Sequence, residues 1–134
     1  MRIVGGTWRG RRLAAVGRGD AAAHLRPTTD RVREALFNTL EGGRHGAPIP
    51  GARVLDLFAG TGALSLEALS RGAASAVCVE NGRVAQRLLR DNIATLGADA
   101  TVLPRDATRL PQNTGAAASL VLLDPPYGTD LGAR

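Results

Sequence analysis

The stretch Val54-Leu55-Asp56-Leu57-Phe58-Ala59-Gly60-Thr61-Gly62 decides the fold of this 134-residue chain. Its apolar beginning is typical of a short buried strand, and its two glycines are typical of a tight turn. Leucines at helical spacing follow in Ala63–Ser70,. The stretch therefore predicts a strand, a glycine turn and a helix, in an arrangement that lets backbone approach a ligand closely. Many strand-to-helix turns contain two glycines for local reasons, so the turn alone does not identify the ligand.

Short apolar strands alternate with helices along the rest of the chain. The patterns predict a helix over Arg83–Leu96 and further strands over Ala76–Glu80, Thr101–Leu103 and Ser119–Leu123,. Such alternation favours a mostly parallel sheet covered by helices, which is the α/β class.

The N-terminal third has a different pattern. Two extended pieces, Arg2–Val4 and Arg12–Val16, flank a glycine-rich link and predict a hairpin,. A helix begins near Thr28 or Thr29 and ends at Gly42,. Its apolar residues predict one buried stripe, with Arg31, Arg33 and Asn38 off that stripe; the stripe comprises Val32, Ala35, Leu36 and Leu40,.

The charge of the chain is concentrated in this N-terminal third. The net charge is +5, and residues 1–45 contain nine arginines and four acidic residues, whereas the remainder is neutral. A local basic excess favours an anionic partner such as nucleic acid, although a solvated arginine-rich surface gives the same pattern. No apolar run is long enough for a membrane span, and the single cysteine, Cys78, excludes an internal disulfide,.

Acidic residues come at or just after the end of each predicted strand of the α/β part: Asp56, Glu80, Asp106 and Asp124. Ligands of open α/β sheets bind beyond these strand ends, and Glu80 lies where a carboxylate commonly binds a ribose diol. A nicotinamide dinucleotide pattern would place glycine or alanine where Ser65 stands,. Asp56 at the turn would repel a pyrophosphate and attract a cation, which favours S-adenosylmethionine (SAM).

The last motif is Asp124-Pro125-Pro126-Tyr127, which follows an apolar strand. The prolines remove two amide donors and stiffen the backbone, leaving acceptors beside an aromatic face. This set suits an exocyclic amino group on a flat base, with Tyr127 stacked on the ring.

The Asp-Pro-Pro-Tyr motif resembles that of amino-methyltransferases that modify adenine, guanine or cytosine. Three longer stretches, within 2–13, 26–38 and 56–73, resemble the RsmD family of 16S rRNA guanine-N2 methyltransferases. The resemblance implies a Rossmann-like SAM-methyltransferase fold preceded by a small hairpin and helix. It also implies an enzyme that acts on 16S rRNA or the small ribosomal subunit, with SAM as cofactor. The single cysteine and the charged N-terminus favour a cytoplasmic protein,. No membrane partner is expected, and direct attack of the exocyclic nitrogen on the methyl group requires no metal. We expect a monomer at full length.

The resemblance assigns roles to named positions. Cofactor binding is expected from Asp56, Phe58, Gly60, Gly62, Glu80, Asp106 and Ala107. Capture of the guanine and catalysis are expected from Asp124, Pro125, Pro126 and Tyr127. The RNA-facing residues, which include three arginines chosen for their charge, are Arg9, Arg11, Arg12, Arg26, Thr28, Arg31, Arg33 and Asn38.

The expected organisation is a basic RNA-facing segment, 1–45, and a SAM-binding core, 46–134. Members of the family continue well beyond Asp-Pro-Pro-Tyr, so the sheet is expected to be truncated after the fourth strand, with the C-terminal half of the core missing. Two other functions fit the same residues: a DNA adenine-N6 methyltransferase, and an RNA-binding or assembly module without catalysis.

Overall fold

The computed structural model describes residues 1–14, 29–42, 48–105 and 118–123. In chain order its elements are α1 (Asp30–Glu41), β1 (Arg53–Asp56), α2 (Ala63–Ser70), β2 (Ser75–Val79), α3 (Arg83–Leu96), β3 (Ala100–Leu103) and β4 (Leu120–Leu122). The sequence predicts α2 and α3 with these same bounds. The observed strands differ from the predicted ones by one residue at one or both ends.

Within the described ranges the strands form one parallel sheet in the order β3-β2-β1-β4. Val54 of β1 pairs with Ala76 of β2 and with Leu120 of β4, which sets the register at the centre of the sheet. The predicted α/β class is therefore confirmed. Because the strands are parallel, the residues that follow them emerge at one edge, called here the carboxyl edge.

One face of the sheet forms the main core. Val54, Ala76, Cys78 and Leu122 project from this face and are buried with residues of the helices, among them Leu89 of α3. On the opposite face Val77 and Val121 are exposed in the described part of the chain. The helices α1, α2 and α3 therefore cover the same side of the sheet.

Residues 1–14, called here the N-terminal segment, fold back on themselves as the sequence predicts. Arg2 and Arg12 form an antiparallel bridge, and Ile3 and Leu13 are buried beside Leu66 of α2. The predicted extended piece continues to residue 16, and its last two residues lie outside the described ranges.

The turn of the N-terminal segment covers the last turn of α2. The carbonyl oxygen of Ser70 accepts a hydrogen bond from the Thr7 amide at 2.7 Å, and the Ser70 hydroxyl accepts one from the Trp8 amide at 2.9 Å. That hydroxyl also donates to the Gly5 carbonyl at 2.6 Å. The carbonyl groups at a helix end need partners, and a distant part of the chain supplies one here.

Helix α1 begins as predicted but buries a different face. The Thr29 hydroxyl caps it by accepting a hydrogen bond from the Val32 amide at 3.1 Å. The predicted buried stripe is wrong: Val32 is 55% and Leu36 is 39% exposed, whereas Arg33 and Phe37 are buried. Burial of Arg33 is tolerable because α2 supplies a carboxylate partner, a fact that apolar periodicity cannot reveal.

Across the described ranges, none of the helices combines the length and the apolar character that crossing a membrane requires.

Candidate functional site

The glycine turn that connects β1 to α2 lies at the carboxyl edge. Gly60 has a φ of +58° and Gly62 a φ of +89°, conformations that glycine adopts without steric cost,. A Cβ atom on Gly62 would also come within 2.5 Å of the Leu89 side chain. The turn therefore requires glycine for both its backbone and its packing against α3.

Asp56 anchors the turn from within the protein. Its side chain is fully buried, and Oδ2 accepts a hydrogen bond from the Ser65 hydroxyl at 2.6 Å. The Ser65 hydroxyl in turn accepts one from the Cys78 thiol at 3.3 Å. Burial, together with the Asp56 charge, raises the pKa of Cys78 to about 12. Asp56 therefore ties the end of β1 to the first turn of α2.

Glu80, directly after β2, joins two loops at the carboxyl edge. Its Oε1 accepts a hydrogen bond from the Gly60 amide at 2.8 Å, and its Oε2 accepts one from the Gly82 amide at 2.9 Å. The Glu80 backbone carbonyl accepts a further bond from the Gln86 side chain at 2.8 Å. This carboxylate therefore fixes the glycine turn against the start of α3.

The same carboxylate fits a ribose. An ionised carboxylate offers about four acceptor sites, and the two amides use one site on each oxygen. Each oxygen of the half-buried Glu80 thus keeps capacity for a hydroxyl donor. The residues present therefore suit a nucleoside whose diol lies beside the glycine turn.

Asn92 is a connection that the sequence analysis missed. This buried side chain of α3 donates to the Thr61 carbonyl in the glycine turn at 2.9 Å. It also donates to the Ala14 carbonyl at 3.0 Å and accepts from the Ala14 amide at 2.6 Å. One side chain therefore links the glycine turn to the N-terminal segment. The available signal was an amide residue on the inner face of an otherwise apolar stripe.

Glu67 of α2 is a second such connection, and it is fully buried. Its Oε1 accepts from the Val4 amide at 3.0 Å and from Arg33 Nε at 3.1 Å. Its Oε2 accepts from the Gly5 amide and from Arg71 Nε, both at 2.9 Å. Glu67 therefore holds the N-terminal segment, α1 and α2 together. The sequence signal for this connection was an acidic residue within the otherwise mostly apolar helix α2.

The predicted role of Arg33 in RNA binding is wrong. Its side chain is 0% exposed and is enclosed by contacts with Glu67, with Asp30 and with the backbone of Arg2. Asp30 in turn accepts hydrogen bonds from the Arg2 amide and from the Arg33 guanidinium. Burial alone would raise the pKa of Asp30, but hydrogen bonds from the Arg2 amide and the Arg33 guanidinium outweigh it and lower that pKa. Arg33 therefore stabilises the fold, and its side chain is not exposed for contact with RNA.

The remaining predicted residues fall into two groups. Those on the described surface are Arg9, Arg11, Arg12, Arg31 and Asn38, and Phe58 lies half-buried in the glycine turn. Asn38 also accepts a hydrogen bond from Arg71 at 3.4 Å. The residues that lie outside the described ranges are Arg26, Thr28, Asp106, Ala107, Asp124, Pro125, Pro126 and Tyr127.

The chain is similar to known proteins over nearly its whole length. It is 46% identical over 129 residues to Ribosomal RNA small subunit methyltransferase D of Escherichia coli K12, covering 95% of this chain and 60% of that protein. It is 37% identical to the protein of the same name from Haemophilus influenzae, covering 100% of this chain and 67% of that one. The chain thus spans about two thirds or less of the length of these curated relatives.

Solved structures agree with this similarity. The Escherichia coli protein yhhF superposes with a TM-score of 0.77 at 43% identity, covering 96% of this chain and 65% of that one. A hypothetical protein of Thermus thermophilus superposes with a TM-score of 0.65 at 39% identity, covering 79% and 56%. The family described as Conserved hypothetical protein 95 matches residues 1–133. With its parallel sheet, its glycine turn and these relatives, the chain belongs to the RsmD family.

Proposed function

We propose that this protein transfers a methyl group from SAM to the exocyclic N2 of a guanine in 16S rRNA. The observation that carries the proposal is the Glu80 carboxylate, which holds the glycine turn and keeps acceptor sites for a ribose. The 46% identity to Ribosomal RNA small subunit methyltransferase D supports the reaction and the RNA substrate.

Residues at the carboxyl edge would hold the cofactor. Glu80 would bind the ribose hydroxyls, and Asp56, Phe58, Gly60 and Gly62 would shape the methionine end. Asp56 would act by its charge from within the protein, since its Oδ2 is engaged by Ser65. Bound SAM supplies an electrophilic methyl group.

The RNA side of the proposal rests on two other segments. Residues 1–45 would face the RNA, through exposed arginines such as Arg9 and Arg12. Asp124 and a backbone carbonyl of the motif would accept hydrogen bonds from the guanine amino group, and Tyr127 would stack on the base. An acceptor aimed at the positive charge that develops on the attacking nitrogen favours the transition state.

The test is transfer of a tritiated methyl group from SAM to 16S rRNA by the purified protein. Nucleoside analysis is expected to place the label on guanine N2. Asp124→Ala is expected to lower the rate by about 10²–10³ while SAM affinity changes little. An Asp124→Ala protein that methylates at the parent rate contradicts the proposed role of this residue.

The same assay separates the other functions. Label on adenine N6 of DNA, with none on RNA, would identify a DNA methyltransferase. Binding of RNA without any binding of SAM would identify an RNA-binding module. Either result contradicts the proposed reaction.

A further inference from the structure

Helix α3 carries a row of arginines on its outer face: Arg83, Arg87 and Arg90, called here the α3 arginine row. Because an α-helix repeats every 3.6 residues, these positions fall within about 60° of one another and span about 10 Å. All three side chains are exposed. The opposite side of the helix is buried through Ala85, Leu89, Asn92 and Leu96.

The row has no acidic partner within the described part of the chain. The ion pairs found there engage Arg33 and Arg71, and none engages a member of the row. Arginines three and four residues apart on one helix repel each other. Arg83 also lies in the first turn of α3, where the helix dipole disfavours positive charge,. Asp91, the acidic residue of α3, lies four residues after Arg87 and offsets part of this repulsion, although none of the ion pairs in the described ranges joins it to the row,.

The row connects the candidate site to the basic N-terminal segment. Arg83 follows Gly82, whose amide donates to the Glu80 carboxylate at 2.9 Å. At the other end of α3 the Arg11 guanidinium donates to the Thr95 carbonyl at 3.1 Å. Positive charge thus runs from the carboxyl edge, along the outer face of α3, to a segment in which Arg9 and Arg12 are also exposed.

We propose that the α3 arginine row binds the phosphate backbone of the RNA and extends the RNA-binding surface beyond the N-terminal segment. The proposal rests on the proposed function for its RNA substrate. Guanidinium groups bind phosphate oxygens through paired N–H donors, and this binding reads no sequence. A membrane surface fits less well, because binding in a lipid interface needs an exposed apolar face and the apolar face of α3 is buried,.

The test compares RNA binding by the purified protein and by Arg83→Gln/Arg87→Gln/Arg90→Gln over a range of salt concentrations. Each phosphate contact with a single strand contributes about 0.7 to the slope of log K against log salt. The triple variant is therefore expected to flatten the slope by about 2 and to bind roughly 100-fold more weakly at 0.1 M salt. SAM affinity is expected to stay at the parent value.

Two controls separate the row from general effects. The triple lysine variant keeps the charge and is expected to retain most of the salt slope. Arg53→Gln removes one exposed charge at the start of β1, away from the row, and is expected to change RNA affinity less than Arg87→Gln does.

The outcomes distinguish this proposal from the proposed function. A triple glutamine variant that binds RNA with the parent affinity and slope overturns the proposal, even if the parent protein methylates guanine. If that variant loses RNA binding while the parent protein transfers no methyl group, the result supports RNA binding by the α3 arginine row. The same result contradicts the proposed methyl transfer to guanine. Loss of binding to anionic lipid vesicles, with RNA binding unchanged, would assign the row to a membrane and also overturn the proposal.

Discussion

Arg33 and Glu67 form an ion pair that is buried on both sides, with 3.1 Å between Arg33 Nε and Glu67 Oε1. Two helices distant in sequence contribute the pair, and Glu67 also accepts the Val4 and Gly5 amides. A buried charge is costly unless its partners are in place, so this arrangement specifies how the N-terminal segment, α1 and α2 fit together.

Replacing Glu67 by glutamine is expected to destabilise the protein strongly. Glutamine removes the buried carboxylate that pairs with Arg33 and leaves the partly exposed Asp30 carboxylate to balance the guanidinium. Breaking a buried pair from one side costs about 3–5 kcal/mol. Unfolding in urea measures this loss. Glu34→Gln, an exposed change on α1, serves as control and is expected to unfold close to the parent midpoint,. Equal midpoints for the two variants would show that the pair does not stabilise the fold.

Gly6→Ala is expected to destabilise the protein more than Gly10→Ala does. Both glycines have positive φ, +76° and +86°, so both substitutions strain the backbone to a similar degree,. A Cβ on Gly6 would lie 1.9 Å from the Ser70 carbonyl oxygen, whereas one on Gly10 would have nothing within 4 Å. Displacing the turn removes its hydrogen bonds to Ser70, which adds about 2 kcal/mol. Thermal and urea unfolding of both variants would measure the difference, and equal losses would contradict the close approach.

Glu80→Gln is expected to weaken SAM binding about 10- to 100-fold, as loss of charge-assisted hydrogen bonds of roughly 1.5–3 kcal/mol implies. The amide has one acceptor oxygen, so its NH2 group would face the Gly60 or the Gly82 amide donor,. Calorimetric titration with SAM measures the affinity. Asp99→Asn makes the same charge change at an exposed position just before β3 and is expected to bind like the parent. Parent-like affinity in a folded Glu80→Gln protein would remove Glu80 from the cofactor site.

Cys78 is expected to make the stability of the protein fall at alkaline pH. Burial, with the nearby Asp56 charge, raises its pKa to about 12 in the folded protein, against an ordinary value near 9. Below about pH 9 the Cys78 thiol is protonated in both the folded and the unfolded protein, so its full contribution to stability is present. Above it the unfolded chain loses the proton first, so stability falls until the pH passes the folded pKa.

The corresponding measurement is the free energy of unfolding of the parent and of Cys78→Ala between pH 8 and pH 11. The advantage of the parent over the variant is expected to narrow by up to about 1.4 kcal/mol per pH unit above pH 9. The packing that Cys78→Ala removes contributes the same free energy at every pH. Any change with pH in the difference between parent and variant therefore comes from titration of the thiol. A constant difference would contradict the raised pKa of the thiol.

The parts of the fold that depend on local pattern could be predicted from sequence. The bounds of α2 and α3 follow from the glycine residues that precede each helix and, for α3, from Gly97, which ends it with a φ of +63°. The parallel pairing of the strands follows from their alternation with helices. The order β3-β2-β1-β4 does not, because the same alternation is compatible with several strand orders,. The burial pattern of α1 could not be predicted, because Arg33 is buried only where Glu67 meets it from another helix.

The candidate site was predictable to a similar extent. Strand ends placed Glu80 and Asp56 near the glycine turn, and the structure brings Glu80 to the Gly60 amide. The connection through Asn92 was not predictable, since its three hydrogen bonds join residues 31 and 78 positions away. Backbone groups make these contacts, and the identity of a backbone partner leaves no trace in sequence.

The attachment of the N-terminal segment has a consequence for synthesis. Val4 and Trp8 find their partners on α2 more than 60 residues later, and Ala14 finds Asn92 after 78 residues. At about 5–20 residues per second, the first residues leave the ribosome seconds before the helices that receive them. The N-terminal segment can therefore reach its final place only after α2 and α3 have been made, although it precedes both in the chain.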